Sequence, residues 1–485
     1  MKNYLIIICM LLQIVAAKAE PVEIDGLKYD LNIDEKTASV SRYNTYDGIL
    51  VIPETVTYDE IEYTVTEIAD YAFNFQPNIL SVTIPKSLKK IGDRAFEECS
   101  RLTSVKFGDG LEEIGFCSFV RCKNLQSLFF GNNIKKIASS AFYLCNGLNQ
   151  IYISDLKKWC MIDFSSEDSN PLYYSHHLYL DKKEIVQLII PKDIETIKQY
   201  SFIGGTYITS LVIGNSVSKI ENSAFNNCTM LNSISFSESL TYIGSRSFQN
   251  CSNIEELDLP DNIKEIGQSA FSGCSKLERL KLPNTLEIIN QDAFKDCSQL
   301  KTITFPATVE FIYQNAFSYP SSENVTIYLL QEYPPLAYDN SFPTNSEIYV
   351  PNGSIELYQN VSPWSSLNIQ TNLLTGPEKC AKPEIIYKNG DIIFTCQTPD
   401  VEFHYKVTSE DFTMIQKGNE TPISGIYKVS VYTSKIGYGN SDTVTSEINI
   451  KGIKGDVNDD GKVNVSDHVE LSNIIMTQQE NDTDN

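Results

Sequence analysis

A phenylalanine recurs along this sequence with a fixed period, and that period limits the architectures open to the chain. Phe73, Phe96, Phe119 and Phe142 stand 23 residues apart, and so do Phe202, Phe225, Phe248, Phe271, Phe294 and Phe317. Ala or Ser precedes each one. Such a period marks a repeat architecture, in which no unit can bury its apolar face alone and neighbours must stack. The step from Phe142 to Phe202 is 60 residues, one 23-residue repeat plus 37, so the series is interrupted once.

Each repeat carries the same apolar frame. Leu277, Leu280 and Leu282 lead through Pro283 to Leu286, Ile289, Ala293 and Phe294. Leu102, Val105, Phe107, Leu111, Ile114 and Phe119 repeat the frame. The alternation over Leu280, Lys281 and Leu282 has the period of a strand, which the following proline ends. Equivalent strands stack at about 4.8 Å, which predicts a β-rich solenoid with a parallel sheet.

The frame Leu-x-x-Val-x-Ile-Pro, then Ile-Gly, Ala-Phe and Cys, resembles the BspA-type, or Treponema-pallidum-type, leucine-rich repeats. The resemblance covers roughly residues 20–375. It implies a right-handed leucine-rich repeat coil: an N-terminal cap at 20–66, a solenoid at 67–342 with an irregular insertion at 154–184, and a C-terminal cap at 343–375. Members of that family are mostly surface or secreted proteins of host-associated bacteria, and several are adhesins. The insertion is aromatic-rich, with Trp159, Tyr173, Tyr174, His176, His177 and Tyr179. It resembles a variant coil of the family, which implies a structural role rather than an aromatic binding platform.

Export is expected from the first residues. Lys2, an apolar run from Leu5 to Leu12, and Ala17, Lys18 and Ala19 fit a signal peptide at 1–19 that is cut after Ala19. This predicts a secreted or cell-surface protein. No later stretch reaches 18 apolar residues, so no transmembrane segment is expected. The net charge of −23 disfavours nucleic acid, whose phosphates require Lys/Arg stripes. Cys99, Cys122, Cys145, Cys228, Cys251, Cys274 and Cys297 share one repeat position. An odd column cannot pair off completely, so a buried thiol ladder is expected over a disulfide framework.

Residues flanking the buried strand positions face outward, on the expected concave face. Phe129, Tyr152, Ile189 and Val212 form an apolar stripe there, the candidate site for an extracellular protein or glycan ligand. The alternative is that the insertion folds over the stripe. The acidic row Glu256/Asp258 beside the basic row Arg279/Lys281 predicts cross-strand charge pairing.

After a linker at Thr375, Gly376 and Pro377, residues 380–450 change character. Ile392, Ile393 and Phe394, Val401 to Tyr405, and Tyr427 to Tyr432 are strand-like, and Asn389-Gly390 is a hairpin turn. This predicts a small β-sandwich, weakly similar to the immunoglobulin-like spacer beside chitobiase-type catalytic domains. Whether Cys380 and Cys396 are bonded stays open.

Residues 455–485 carry the strongest chemical motif. Asp456, Asn458 and Asp460 fill positions 1, 3 and 5 of an EF-hand-like loop, and Gly461 makes its turn. Lys462 offers its carbonyl, and Asn464 and Asp467 complete the oxygen set for calcium. The loop resembles half of a type I dockerin, which implies a possible cohesin-like partner. A single loop favours calcium-stabilised anchoring or spacing over tight cohesin binding.

No Gly-x-Ser-x-Gly, His-Glu-x-x-His or phosphate-binding glycine loop occurs. The sequence therefore points to a non-catalytic, adhesin-like binder. The alternative is a structural component of a surface or polysaccharide-degrading assembly, held through its C-terminus.

Overall fold

A computed structural model describes residues 20–42, 45–318, 325–338, 340–343, 345–373, 380–388, 391–399, 401–409, 422–434 and 441–454. The expected signal peptide, the Asn389-Gly390 turn and the calcium loop lie outside the described residues. The chain divides into two compact units. The first runs to Leu300 and adds Phe311–Pro320 and Asn340–Phe342; the second holds the rest.

The first unit is a β-solenoid. One ladder stacks Gly48–Val51, Ile79–Thr83, Ser104–Lys106, Ser127–Phe129, Gln150–Ile153 and Leu178–Leu180, all parallel. The antiparallel strand Lys183–Glu184 closes it. A second ladder brings Ile68, Ile91, Ile114, Ile137 and Phe164 into register. Each strand buries its central apolar residue, as Val105, Leu128 and Ile151 do. That burial contributes about 1.5–3 kcal/mol per side chain.

The third wall of each coil is the Ala-Phe turn. Its rings stack from coil to coil with centroids 5.0–5.4 Å apart and planes within 10°. The turn holds left-handed residues on both sides of the ring. Tyr71, Arg94 and Cys117 stand two residues before it, and Phe75, Glu98 and Arg121 two after it, all with φ between 53° and 61°. A non-glycine residue there costs about 1–2 kcal/mol. Hydrogen bonds between coils offset that cost: the N–H groups of Tyr71, Phe73 and Phe75 donate to Asp93, Ala95 and Glu97 at 2.8–2.9 Å. This wall is thus bonded like a sheet without being one.

The cysteine column has the buried-ladder form. All seven thiols are free and buried. Each donates to the phenylalanine carbonyl of the preceding coil, at 3.0–3.5 Å.

The insertion is wound in as a further coil. It gives Asp163–Phe164 to the second ladder and Leu178–Leu180 to the first. Short helices Leu156–Cys160 and Leu172–Ser175 connect these strands, and Trp159, Phe164 and Leu172 are buried. Both ladders then restart as separate sheets at Gln187–Ile189 and Thr196–Ile197. Side chains span the break. The indole N–H of Trp159 donates to the Ser201 carbonyl at 2.9 Å. The Asn170 amide donates to Tyr200 at 2.7 Å, and His176 Nδ1 to Gly204 at 2.8 Å.

The second unit holds a parallel sheet of Thr302–Phe305, Val325–Leu329, Ser346–Pro351 and Asn368–Leu373. The Tyr358 hydroxyl donates to Gln331 O at 3.1 Å, and the Trp364 indole to Pro335 O at 2.9 Å. Farther along, Glu384–Lys388 pairs antiparallel with Asp391–Thr395. Glu402–Ser409, Pro422–Ser434 and Val444–Lys454 form a three-stranded antiparallel sheet. The Phe394 ring lies 5.4 Å from Tyr405. Cys380 and Cys396 are not joined by a disulfide, and Cys396 Sγ donates to Ala381 O at 3.2 Å.

Candidate binding face

Strand periodicity puts Ser127 and Phe129 outward around buried Leu128, and Gln150 and Tyr152 outward around Ile151. Parallel register sets Phe129 directly beside Tyr152, and their rings stack at 4.8 Å and 8°. Phe129 is 40% exposed, and Tyr152 is half-buried. The insertion continues this column rather than covering it: Tyr179 pairs with Tyr152, ring centroids 5.0 Å apart.

The far end of the column is held by a polar clasp. His177 Nδ1 is hydrogen-bonded to Glu184 Oε1 on the closing strand. The His177 imidazole stacks on Tyr207 at 3.9 Å and lies 6.3 Å from the Tyr179 ring. Desolvation, then the Glu184 charge, pushes the Tyr179 hydroxyl above the ordinary phenol range.

Sequence reasoning named His177 and Tyr179 in the insertion but not in this column, and it missed Tyr207. The signal was present: Leu178, Tyr179 and Leu180 repeat the alternation of Ile151, Tyr152 and Ile153.

Ile189 and Val212 fall elsewhere. They are cross-strand neighbours in a separate ladder, Gln187–Ile189, Ser210–Val212 and Ser233–Ser235. Ile189 is 45% exposed, and Val212 is half-buried. The stripe is interrupted at the insertion into two pairs in two sheets, because the Leu178–Leu180 and Lys183–Glu184 hairpin ends the first ladder.

The charged rows pair with each other. Arg279 bridges Glu256, and Lys281 Nζ lies 3.2 Å from Asp258. The exposed Arg279–Glu256 pair contributes about 0–1 kcal/mol, while the Lys281 side chain of the other pair is largely buried. Among the described residues, no group of three or more His, Cys, Asp or Glu side chains could hold a metal. His176 and His177 turn to different partners, Gly204 and Glu184. Asp456, Asn458, Asp460, Lys462, Asn464 and Asp467 lie outside the described residues. No helix among the described residues is long and apolar enough to cross a membrane.

A profile of the BspA type leucine-rich repeat region matches six copies, over residues 57–166 and 195–324. Among solved structures, a leucine-rich repeat protein from Bacteroides ovatus is 22% identical, with a TM-score of 0.47. That match covers 72% of this chain and 99% of the other. The pneumococcal vaccine antigen PcpA is 20% identical with a TM-score of 0.41, covering 73% and 98%. A leucine-rich cell surface protein from Faecalibacterium prausnitzii is 22% identical with a TM-score of 0.31, covering 59% and 94%. None of the curated proteins matches in sequence.

Proposed function

The repeat region of this chain belongs to the BspA-type leucine-rich repeats, and from that premise we propose that it is a secreted or cell-surface, adhesin-like binding protein without catalytic activity. The observation that carries this reading is the outward column of Phe129, Tyr152 and Tyr179. Exposed aromatic clusters on a rigid scaffold are frequent anchors for partners. The rings spend their faces on each other, so the column offers edges and hydroxyls. A sugar ring stacks on an open aromatic face, which favours a protein ligand over a glycan here. Ile189 and Val212 are a second apolar contact on the same kind of strand.

The loop from Asp456 to Asp467 supports a second function, calcium binding. An oxygen set of this charge suits a hard cation. The ordered loop would serve to anchor or space the solenoid, or to meet a cohesin-like partner.

A panel of immobilised extracellular proteins and polysaccharides, probed with the full chain in calcium and in chelator, tests both readings. Capture on a protein in both conditions supports the binder. Capture that needs calcium moves the function to the C-terminal loop. Capture on polysaccharide alone contradicts the assignment of a protein ligand.

A further inference from the structure

We infer that the strand Gly48–Val51 is a second docking site, for an extended polypeptide segment flanked by basic residues. This site is independent of the aromatic column. The strand is the last of its ladder and pairs on one side only, with Ile79–Thr83. Gly48 N–H donates to Asn78 O and Ile52 N–H to Thr83 O, both at 3.1 Å. Backbone groups of alternate residues point to opposite edges. Ile49 and Val51 therefore present theirs on the outer edge. Among the described residues, one of those groups has a partner: Ile49 O accepts from the Tyr46 hydroxyl at 3.1 Å.

The side chains agree with the backbone. Leu50 is buried in the core, while Ile49 is 65% and Val51 58% exposed. Sheet edges are ordinarily blunted by charges, proline or a bulge twisting them away. Within Gly48–Val51 no residue is charged and none is proline, and past a register shift between Gly48 and Ile49 the residues Ile49 to Val51 pair regularly with Ser81 to Thr83. An open edge with two exposed β-branched residues can bind by strand addition: main-chain bonds give affinity, and alternate side chains give selectivity.

Charge selects the occupant. Residues 20–66 carry eleven Asp/Glu against three Lys/Arg. Asp47 and Glu54, both exposed, bracket the strand, Glu54 in a surface ion pair with Lys86 at 3.4 Å. Two copies pairing antiparallel through this edge would set acidic end against acidic end. A β-prone segment with Lys or Arg at its ends meets complementary charge instead.

The test uses the full chain and a fluorescein-labelled peptide, Lys-Lys-Thr-Val-Thr-Val-Thr-Lys-Lys, beside a counterpart with Glu in place of Lys. Val51→Pro removes an outer-edge N–H and leaves the bonds to Ile79–Thr83 intact. Val51→Lys blocks the edge if the proline variant fails to fold. The expected result is binding of the basic peptide, weakened at least about tenfold in either Val51 variant and in the Glu counterpart. Binding should be unchanged in Phe129→Ala/Tyr152→Ala. The inference is overturned by no binding, by equal binding in the Val51 variants, by loss in the aromatic variant, or by a sedimenting dimer that Val51→Pro dissolves.

Discussion

The thiol of Cys122 donates to the carbonyl of Phe96 in the preceding coil, 3.1 Å away and fully buried. This bond repeats along the column and gives the Phe96 carbonyl a second donor beside the Cys99 N–H at 3.3 Å. Cys122→Ala should therefore cost about 1–3 kcal/mol, from a small cavity and one lost hydrogen bond. Cys122→Ser, which keeps a donor, should cost less. Urea unfolding monitored by circular dichroism checks the order. A midpoint unmoved by Cys122→Ala would mean that the bond adds nothing.

The thiols also make stability depend on pH. Burial pushes Cys228 and Cys274 from an ordinary 9.0 to about 12, and Cys122, Cys251 and Cys297 well above 9.0. In the unfolded chain these thiols ionise near their ordinary value. Above it the unfolded state binds fewer protons, so stability falls as pH rises. The loss is about 1.4 kcal/mol per pH unit for each buried thiol until its folded value is reached. Below pH 9 the contribution is complete. Urea midpoints should be level from pH 7 to 8.5 and fall steeply beyond pH 9. A level midpoint to pH 10.5 would contradict the buried column.

Trp159 ties the inserted coil to the next repeat through its bond to Ser201 O. Trp159→Phe preserves most of the apolar volume but removes one of the two donors to that buried carbonyl, leaving the Asn170 amide at 3.1 Å. The expected cost is about 0.5–1.5 kcal/mol, the net worth of one hydrogen bond. The chain has two tryptophans, Trp159 and Trp364. In a Trp364→Phe background, Trp159 fluorescence reports the first unit alone. A Trp159→Phe variant as resistant to urea as the parent, by circular dichroism, would show that the bond is dispensable.

Asp456→Ala/Asp460→Ala removes two of the oxygen donors that the loop sequence supplies. Calcium titration calorimetry on the full chain should show one site in the parent and none in the variant. Heat of equal size in both would place calcium elsewhere or nowhere.

The coil was legible in the sequence because one 23-residue frame repeats the phenylalanine of Phe96 in ten turns and the cysteine of Cys99 in seven of them. The charge pairing of Glu256 with Arg279 followed from the same register. The left-handed residues of the third wall were not legible: Tyr71, Arg94 and Cys117 share no chemistry, since hydrogen bonds between coils, not their side chains, impose the conformation. The column was half legible. Phe129 and Tyr152 lie in the regular period, but Tyr179 lies 27 residues after Tyr152 instead of 23, so its alignment shows only in the pairing of strands. The break between Tyr179 and Ile189 comes from the hairpin at Lys183–Glu184, a local reversal of direction that periodicity does not record.

The most direct measurement is the affinity of the full chain for a protein captured from the extracellular panel, compared with Phe129→Ala/Tyr152→Ala. Neither side chain is fully buried, so the variant should unfold near the parent midpoint. The account predicts a loss of at least about tenfold in affinity, the size expected for truncating anchor aromatics. Unchanged affinity in a folded variant would contradict the claim that this face binds the ligand.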